Sequence, residues 1–192
     1  ACQRAELTFF DPYVQVAARL QALHQMGHST DKVELIVLGG TWSDYPESYQ
    51  YWFIKELFRA LNEWPNSPSH IQERLNWYTS FGLQNSEEAL SSFVAEQQAA
   101  VFDDTATYNQ AFHKLYDTSQ PHQNAWSQMQ STYDELVEQQ HVNETAAARV
   151  VGLVIETRPD TITPDNLRMF RQLGCTKIQI GIQSTRQEIL DA

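Results

Sequence analysis

Three places in the chain put a chemically useful residue directly after an apolar run. Gly39-Gly40-Thr41 follows the run 33–38, Glu156-Thr157-Arg158 ends the run from 150, and Gln183-Ser184 ends the run from 176. Paired glycines let a ligand approach bare backbone N–H and C=O groups. A glutamate accepts hydroxyls or an ammonium, while a glutamine both donates and accepts. Three such ends on one rim would form a polar binding site. Each also has a plainer reading, in which Gly39-Gly40 permits a tight turn and Glu156 pairs with Arg158.

Other constellations are poorer. His24 and His28 lie four apart, but Gly27 separates them and no third ligand is evident for zinc. Glu87-Glu88 and Asp103-Asp104 are neighbours that point to different faces of a helix, which makes them solvated charge. Cys175 opens an apolar run and reads as a small core hydrophobe. With Cys2 it completes the cysteine inventory, too few for a disulfide framework or a multi-cysteine metal site. No phosphate loop, dinucleotide fingerprint or nucleophile elbow occurs.

The elements that carry the three ends alternate. A helix is expected over 11–27, with Asp11 as N-cap, Pro12 in the first turn and Gly27 at the exit. Strand 33–39 follows, then a helix opened by Pro46 and Glu47 with Phe53, Ile54, Leu57, Phe58 and Leu61 along one stripe. Strand 150–156, a helix from Thr163-Pro164 to Gly174, and strand 176–182 come after it. Thr185 and Glu188 are spaced as a capping box for a further helix. Strands separated by helices predict right-handed crossovers and a parallel sheet covered on both faces, with sites at the strands' C-terminal ends.

The chain has 192 residues, 42% of them hydrophobic, and a formal net charge of −11. That hydrophobic content excludes a disordered acidic tail. The charge is uneven: residues 62–148 hold 2 basic and 12 acidic side chains. Nucleic-acid contact is carried by Lys and Arg, so this middle segment is a poor phosphate-binding surface. It lacks glycine from 83 to 151, and large side chains recur at helical spacing: the aromatics Tyr108, Phe112 and Tyr116, then Trp126 and Tyr133 with Met129 between them. It is expected to form three or four helices with the aromatics packed as core. The implied division is 1–62, an acidic helical insert at 63–148, and 149–192. No run approaches the roughly 20 apolar residues of a membrane helix. The two cysteines and the lack of a signal peptide suit a cytoplasmic setting. An opening without Met and an end inside a starting helix suggest a piece of a longer protein.

Several stretches are similar to the Elongator catalytic-subunit family. They are 38–41, Phe53-Ile54 with Leu61-Asn62, Asn143-Glu144-Thr145-Ala146, the run Glu156-Thr157-Arg158-Pro159-Asp160, and Gly181-Ile182-Gln183-Ser184. The resemblance covers 9–62 and 141–192, and nothing is carried over to 63–140. It implies an α/β fold, a partial (βα) barrel of radical S-adenosylmethionine type, in a tRNA wobble-uridine-modifying enzyme that uses acetyl-CoA. Gly39, Gly40 and Thr41 would meet the methionine amino group of S-adenosylmethionine, and Glu156 and Gln183 would face its ribose. Thr41 stands where many such enzymes carry Glu. The family holds a [4Fe–4S] cluster through three closely spaced cysteines, which this chain does not contain. By itself it is therefore expected to be inactive. Two other readings stay open: a coproporphyrinogen-oxidase-like oxidoreductase, and a non-catalytic scaffold whose insert docks a partner. Exposed sheet edges could also pair two copies into a homo-oligomer.

Overall fold

The computed structural model describes residues 5–38, 41–83, 87–107, 110–111, 114, 120–182, 184, 186 and 188. Gly39, Gly40 and Gln183 lie outside them, as do Thr185 and the aromatics Tyr108, Phe112 and Tyr116.

The first helix, α1 (Pro12–Gln25), starts where the sequence says it should. The carboxylate of Asp11 accepts the Val14 N–H at 2.8 Å, and the chain leaves through Gly27 at φ +83°. Strand β1 (Lys32–Val37) leads to a 3-10 turn at Trp42–Asp44 and then to α2 (Glu47–Asn62). Four helices follow: α3 (Ile71–Ser80), α4 (Glu87–Phe102), α5 (Gln120–Trp126) and α6 (Tyr133–Asn143). Strand β2 (Arg149–Thr157), helix α7 (Pro164–Gln172) and strand β3 (Lys177–Ile180) complete the described elements.

The three strands are parallel in the order β1-β2-β3. Sequential order means that each right-handed crossover advances the same way, which sets the connecting helices on one side of the sheet. The core follows that rule. Leu35, Val37, Leu153, Ile155 and Ile178 pack with Leu20 of α1, Ile54, Leu57, Phe58 and Leu61 of α2, Leu136 of α6 and Phe170 of α7. The expected helices on both faces are not found among the described residues. On β1's other face Ile36 and Leu38 remain half exposed or more. The sheet is open, and its three strands do not close a barrel.

One irregularity decides which side chains reach the core. Val33 pairs with Val150, but Glu34 pairs with Gly152, so Val151 is an extra residue in β2. Without it, period-two alternation from Val150 would turn Gly152, Val154 and Glu156 toward the helices. With it, Leu153 and Ile155 join Leu35 and Val37, and Glu156 takes the opposite face. A Cβ on Gly152 would meet Glu34 Cγ at 3.3 Å on that face, so a larger residue would require the Glu34 side chain to shift.

Trp126 and Tyr133 do not share the packed aromatic stripe the spacing predicts. Thr132 caps α6 through a capping box with Glu135, so a new helix begins between the two rings. Both stay about two-fifths exposed.

Two buried polar joints tie the helices together. Asn143 donates to Asn62 Oδ1 at 2.7 Å and to Ala148 O at 3.1 Å, and accepts the Val150 N–H at 2.8 Å. It thereby joins α6 and α2 to the start of β2. In the second joint Arg74 of α3 forks onto Asp11, with Nη2 at 2.8 Å, and reaches Glu56 through Nη1 at 2.8 Å. Tyr78 donates to the same Asp11 carboxylate at 2.7 Å.

Asp11 and Glu56 are buried; removing Arg74 takes away the cation paired with Asp11 among the described residues, while Glu56 keeps Arg59 at 3.2 Å. Arg74→Ala is expected to cost about 3–5 kcal/mol. Asn143→Ala, which orphans a backbone N–H and a C=O, should cost about 1–3 kcal/mol for each group left unpaired. Urea unfolding of the two variants checks the order and size of the losses.

Candidate functional site

The described parts of the candidate site lie at the C-terminal ends of β1 and β2. After Val37 the chain passes Leu38 and returns at Thr41, half-buried in an extended conformation that starts the Trp42–Asp44 turn. The turn is attached to the next strand by hydroxyls. Ser43 Oγ lies 3.4 Å from Thr157 Oγ1, which lies 2.7 Å from Thr161 Oγ1. Thr161 in turn donates to Arg158 O at 2.8 Å. Thr157 points to the helix side of the sheet and is buried, so this ladder is a joint beneath the rim.

Glu156 stands one residue before it, on the open face and half-buried. Its register partner on β3 is Gln179, which places two polar side chains side by side. Glu156 makes no hydrogen bond or ion pair among the described residues. The alternative in which Glu156 pairs with Arg158 is not what the structure contains. Arg158 donates Nε to Asp160 Oδ1 at 2.9 Å and closes a second bond to the same carboxylate. That pairing holds the Asp160 carboxyl below its usual range.

The sheet ladder continues past β3, with the Gly181 N–H donating to Thr157 O at 3.0 Å. The chain heading for Gln183 therefore leaves β3 beside the end of β2. Cys175 is a core residue as expected: its Sγ donates to Lys177 O at 3.1 Å, and burial pushes the thiol pKa up. Among the described residues no three His, Cys, Asp or Glu side chains are grouped to hold a metal ion.

Two features of this end were not legible in the sequence reading. The Ser43–Thr157–Thr161 ladder joins residues up to 118 apart, and nothing in their local patterns links them. The rim also carries aromatic rings. Trp42 is buried, with its indole Nε1 lacking a partner among the described residues, and Tyr45 beside it is partly exposed. Aromatic content at Trp42-Ser43-Asp44-Tyr45 is the available signal.

No protein-family model matches the chain. It is 30% identical over 190 residues to a tRNA uridine(34) acetyltransferase of Methanocaldococcus infernus, covering 99% of this chain and 23% of that protein. It is 25% identical over 186 residues to Elongator complex protein 3 of Schizosaccharomyces pombe, covering 97% of this chain and 22% of the relative. Among solved structures, the archaeal M. infernus Elp3 with an N-terminal deletion matches with a TM-score of 0.57 at 30% identity. That match covers 95% of this chain and 27% of the solved one. The chain is homologous to a segment of the Elongator complex protein 3 family. It spans about a quarter of the length of the relatives it matches.

The homology runs through 63–140 as well, where the sequence motifs offered nothing to carry over. The structure separates two kinds of motif residue. Asn62 and Asn143 form the buried amide joint, whereas Thr41 and Glu156 sit at the rim with no side-chain bond to another described residue.

Thr157→Val keeps the shape and removes the hydroxyl at the centre of the ladder. It is expected to lower stability by about 1 kcal/mol and to speed amide exchange in the Trp42–Asp44 turn ahead of the rest of the chain. Hydrogen-exchange mass spectrometry reads both effects.

Proposed function

We propose that this chain is part of the radical S-adenosylmethionine core of a tRNA wobble-uridine-modifying enzyme, one that uses acetyl-CoA to build a carboxymethyl group. The observation that carries the reading is Glu156, a half-buried carboxylate with no hydrogen bond or ion pair among the described residues, at the strand end where parallel α/β proteins bind ligands. The names of the relatives, which speak of tRNA uridine(34), supply the substrate.

The residues fit the nucleoside part of that cofactor. Glu156 can accept two ribose hydroxyls, and Gln183 would add a donor and an acceptor from the next strand end. The Gly39-Gly40 backbone and the Thr41 hydroxyl would meet the methionine amino group. The buried Trp42 Nε1 offers a further donor close by. The residues do not fit an iron–sulfur cluster. The chain has two cysteines, Cys175 is in the core, and no thiolate set can form. When bound to such a cluster in the longer protein, S-adenosylmethionine supplies one-electron chemistry. This chain's part is to hold and orient the cofactor.

The sequential order β1-β2-β3 with helices on one side is the arrangement of a (βα) barrel segment, and we assign 1–62 and 149–192 to such a barrel, with 63–148 as an insert. The partner is tRNA; oligomerisation through open sheet edges and a cytoplasmic location complete the proposal. No helix among the described residues is long and apolar enough to cross a membrane.

In the full-length protein, Glu156→Ala should weaken S-adenosylmethionine binding by about 1–3 kcal/mol, the cost of leaving ribose hydroxyls unpaired. Folding should be nearly unchanged, because the substitution opens no apolar cavity. Calorimetric binding and thermal unfolding on the same preparation test it. Normal affinity with a large loss of thermal stability would make Glu156 a structural residue.

A further inference from the structure

Beside the rim, four aromatic rings climb from the core to the surface. Trp42 is 3% exposed, and its ring centroid lies 5.9 Å from that of Tyr45. Tyr45 lies 5.1 Å from Tyr49 and 6.2 Å from Trp126. Trp126, the last residue of α5, stacks on Tyr49 with centroids 4.3 Å apart and planes 21° from parallel. Tyr45 and Trp126 keep 37% and 41% of their surface exposed. Burying these rings completely would be worth more to stability than leaving them in this state.

Their position is set by the hydroxyl ladder. Tyr45 directly follows the turn whose Ser43 touches Thr157, and Thr157 is the neighbour of Glu156. The step therefore begins at the strand ends, directly after Thr41 but on the helix side of the sheet, across from Glu156.

Local charge narrows what could stack there. The middle segment is acidic as a whole, yet residues 118–133, which carry Trp126, contain no Asp, Glu, Lys or Arg. Burial pushes the pKa of His122 down, which disfavours its charged form. Nothing on α5 would bind phosphate, and nothing there would repel an uncharged planar ring. A nucleobase needs only a π-face, and sequence-tolerant recognition of unpaired RNA is built from such platforms.

We propose that Tyr45 and Trp126 form a stacking step for an unpaired nucleobase of the RNA loop presented to this rim. The inference rests on the tRNA reading above and adds residues that position the substrate. Phosphate contacts would come from other parts of the longer protein.

The test uses the full-length protein and two RNAs: an anticodon stem-loop, and the same stem with abasic loop positions. Trp126→Ala and Tyr45→Ala should each weaken binding of the stem-loop by about 5- to 50-fold. Trp126→Phe should restore most of it, and neither alanine variant should change affinity for the abasic RNA. Tyr45 lies outside any helix, so its variant keeps the test decisive if Trp126→Ala does not fold. Unchanged stem-loop affinity in the folded variants overturns the proposal, and is the result expected if another part of the protein covers the rings. Equal loss on both RNAs overturns it as well, by showing a general distortion. If the wild-type protein binds neither RNA, the tRNA reading itself falls and this inference with it.

Discussion

Val151, one extra residue in β2, governs the arrangement around it. Side chains in a strand alternate strictly, so a single inserted residue exchanges the two faces from that point on. Before the bulge Val33 and Val150 face the helices. After it Leu35, Val37, Leu153 and Ile155 do, and they meet Leu20, Ile54, Leu57, Phe58, Leu61, Leu136 and Phe170 in one apolar core. The same displacement carries Glu156, with the buried Val154, to the face away from the helices and Thr157 to the helix face. Core and candidate site are thus two consequences of one register change. A carboxylate at the core position would be prohibitively costly without a partner.

The helices of the middle segment are attached by polar joints as much as by apolar contact. Arg74 lies between two buried carboxylates, and Asn143 satisfies groups from two helices and a strand. Such joints add little net stability when intact, since desolvation offsets most of the attraction. They are severe when broken, and each is satisfied in only one mutual placement of the elements. Charge and amide pairing here fix where α3 and α6 sit against α1 and α2. The apolar faces alone would tolerate several placements.

The rim combines a rigid base with exposed chemistry. Ser43, Thr157 and Thr161 pin the Trp42–Asp44 turn to the end of β2, while Arg158 is occupied by Asp160. Glu156 has no hydrogen bond or ion pair among the described residues. Tyr45 and Trp126 continue outward from the strand ends; Trp126 lies in an uncharged stretch of an otherwise acidic segment, and Tyr45 follows Asp44.

The linear pattern by itself determined the local elements. Asp11 and Thr163 announce helix starts because their side chains cap nearby N–H groups, Gly27 and Gly174 announce exits because they take positive φ, and the apolar runs announce strands. Alternation of these elements also implied the parallel pairing and placed Thr41 and Glu156 at strand ends. Every one of those signals acts within a few residues. Tertiary structure decided the rest. The bulge at Val151 exists because β2 must match β1 and the helices together, and Val150-Val151-Gly152 carries no local mark of it. Trp126 and Tyr133 read as core by spacing, yet the Thr132 cap divides them between helices and leaves both rings partly exposed. Arg158 turned to Asp160, two residues on, because that carboxylate can accept a two-pronged bond after the chain bends. Which residues are neighbours across the rim depends on how strands and helices are set against each other, and that depends on the whole core.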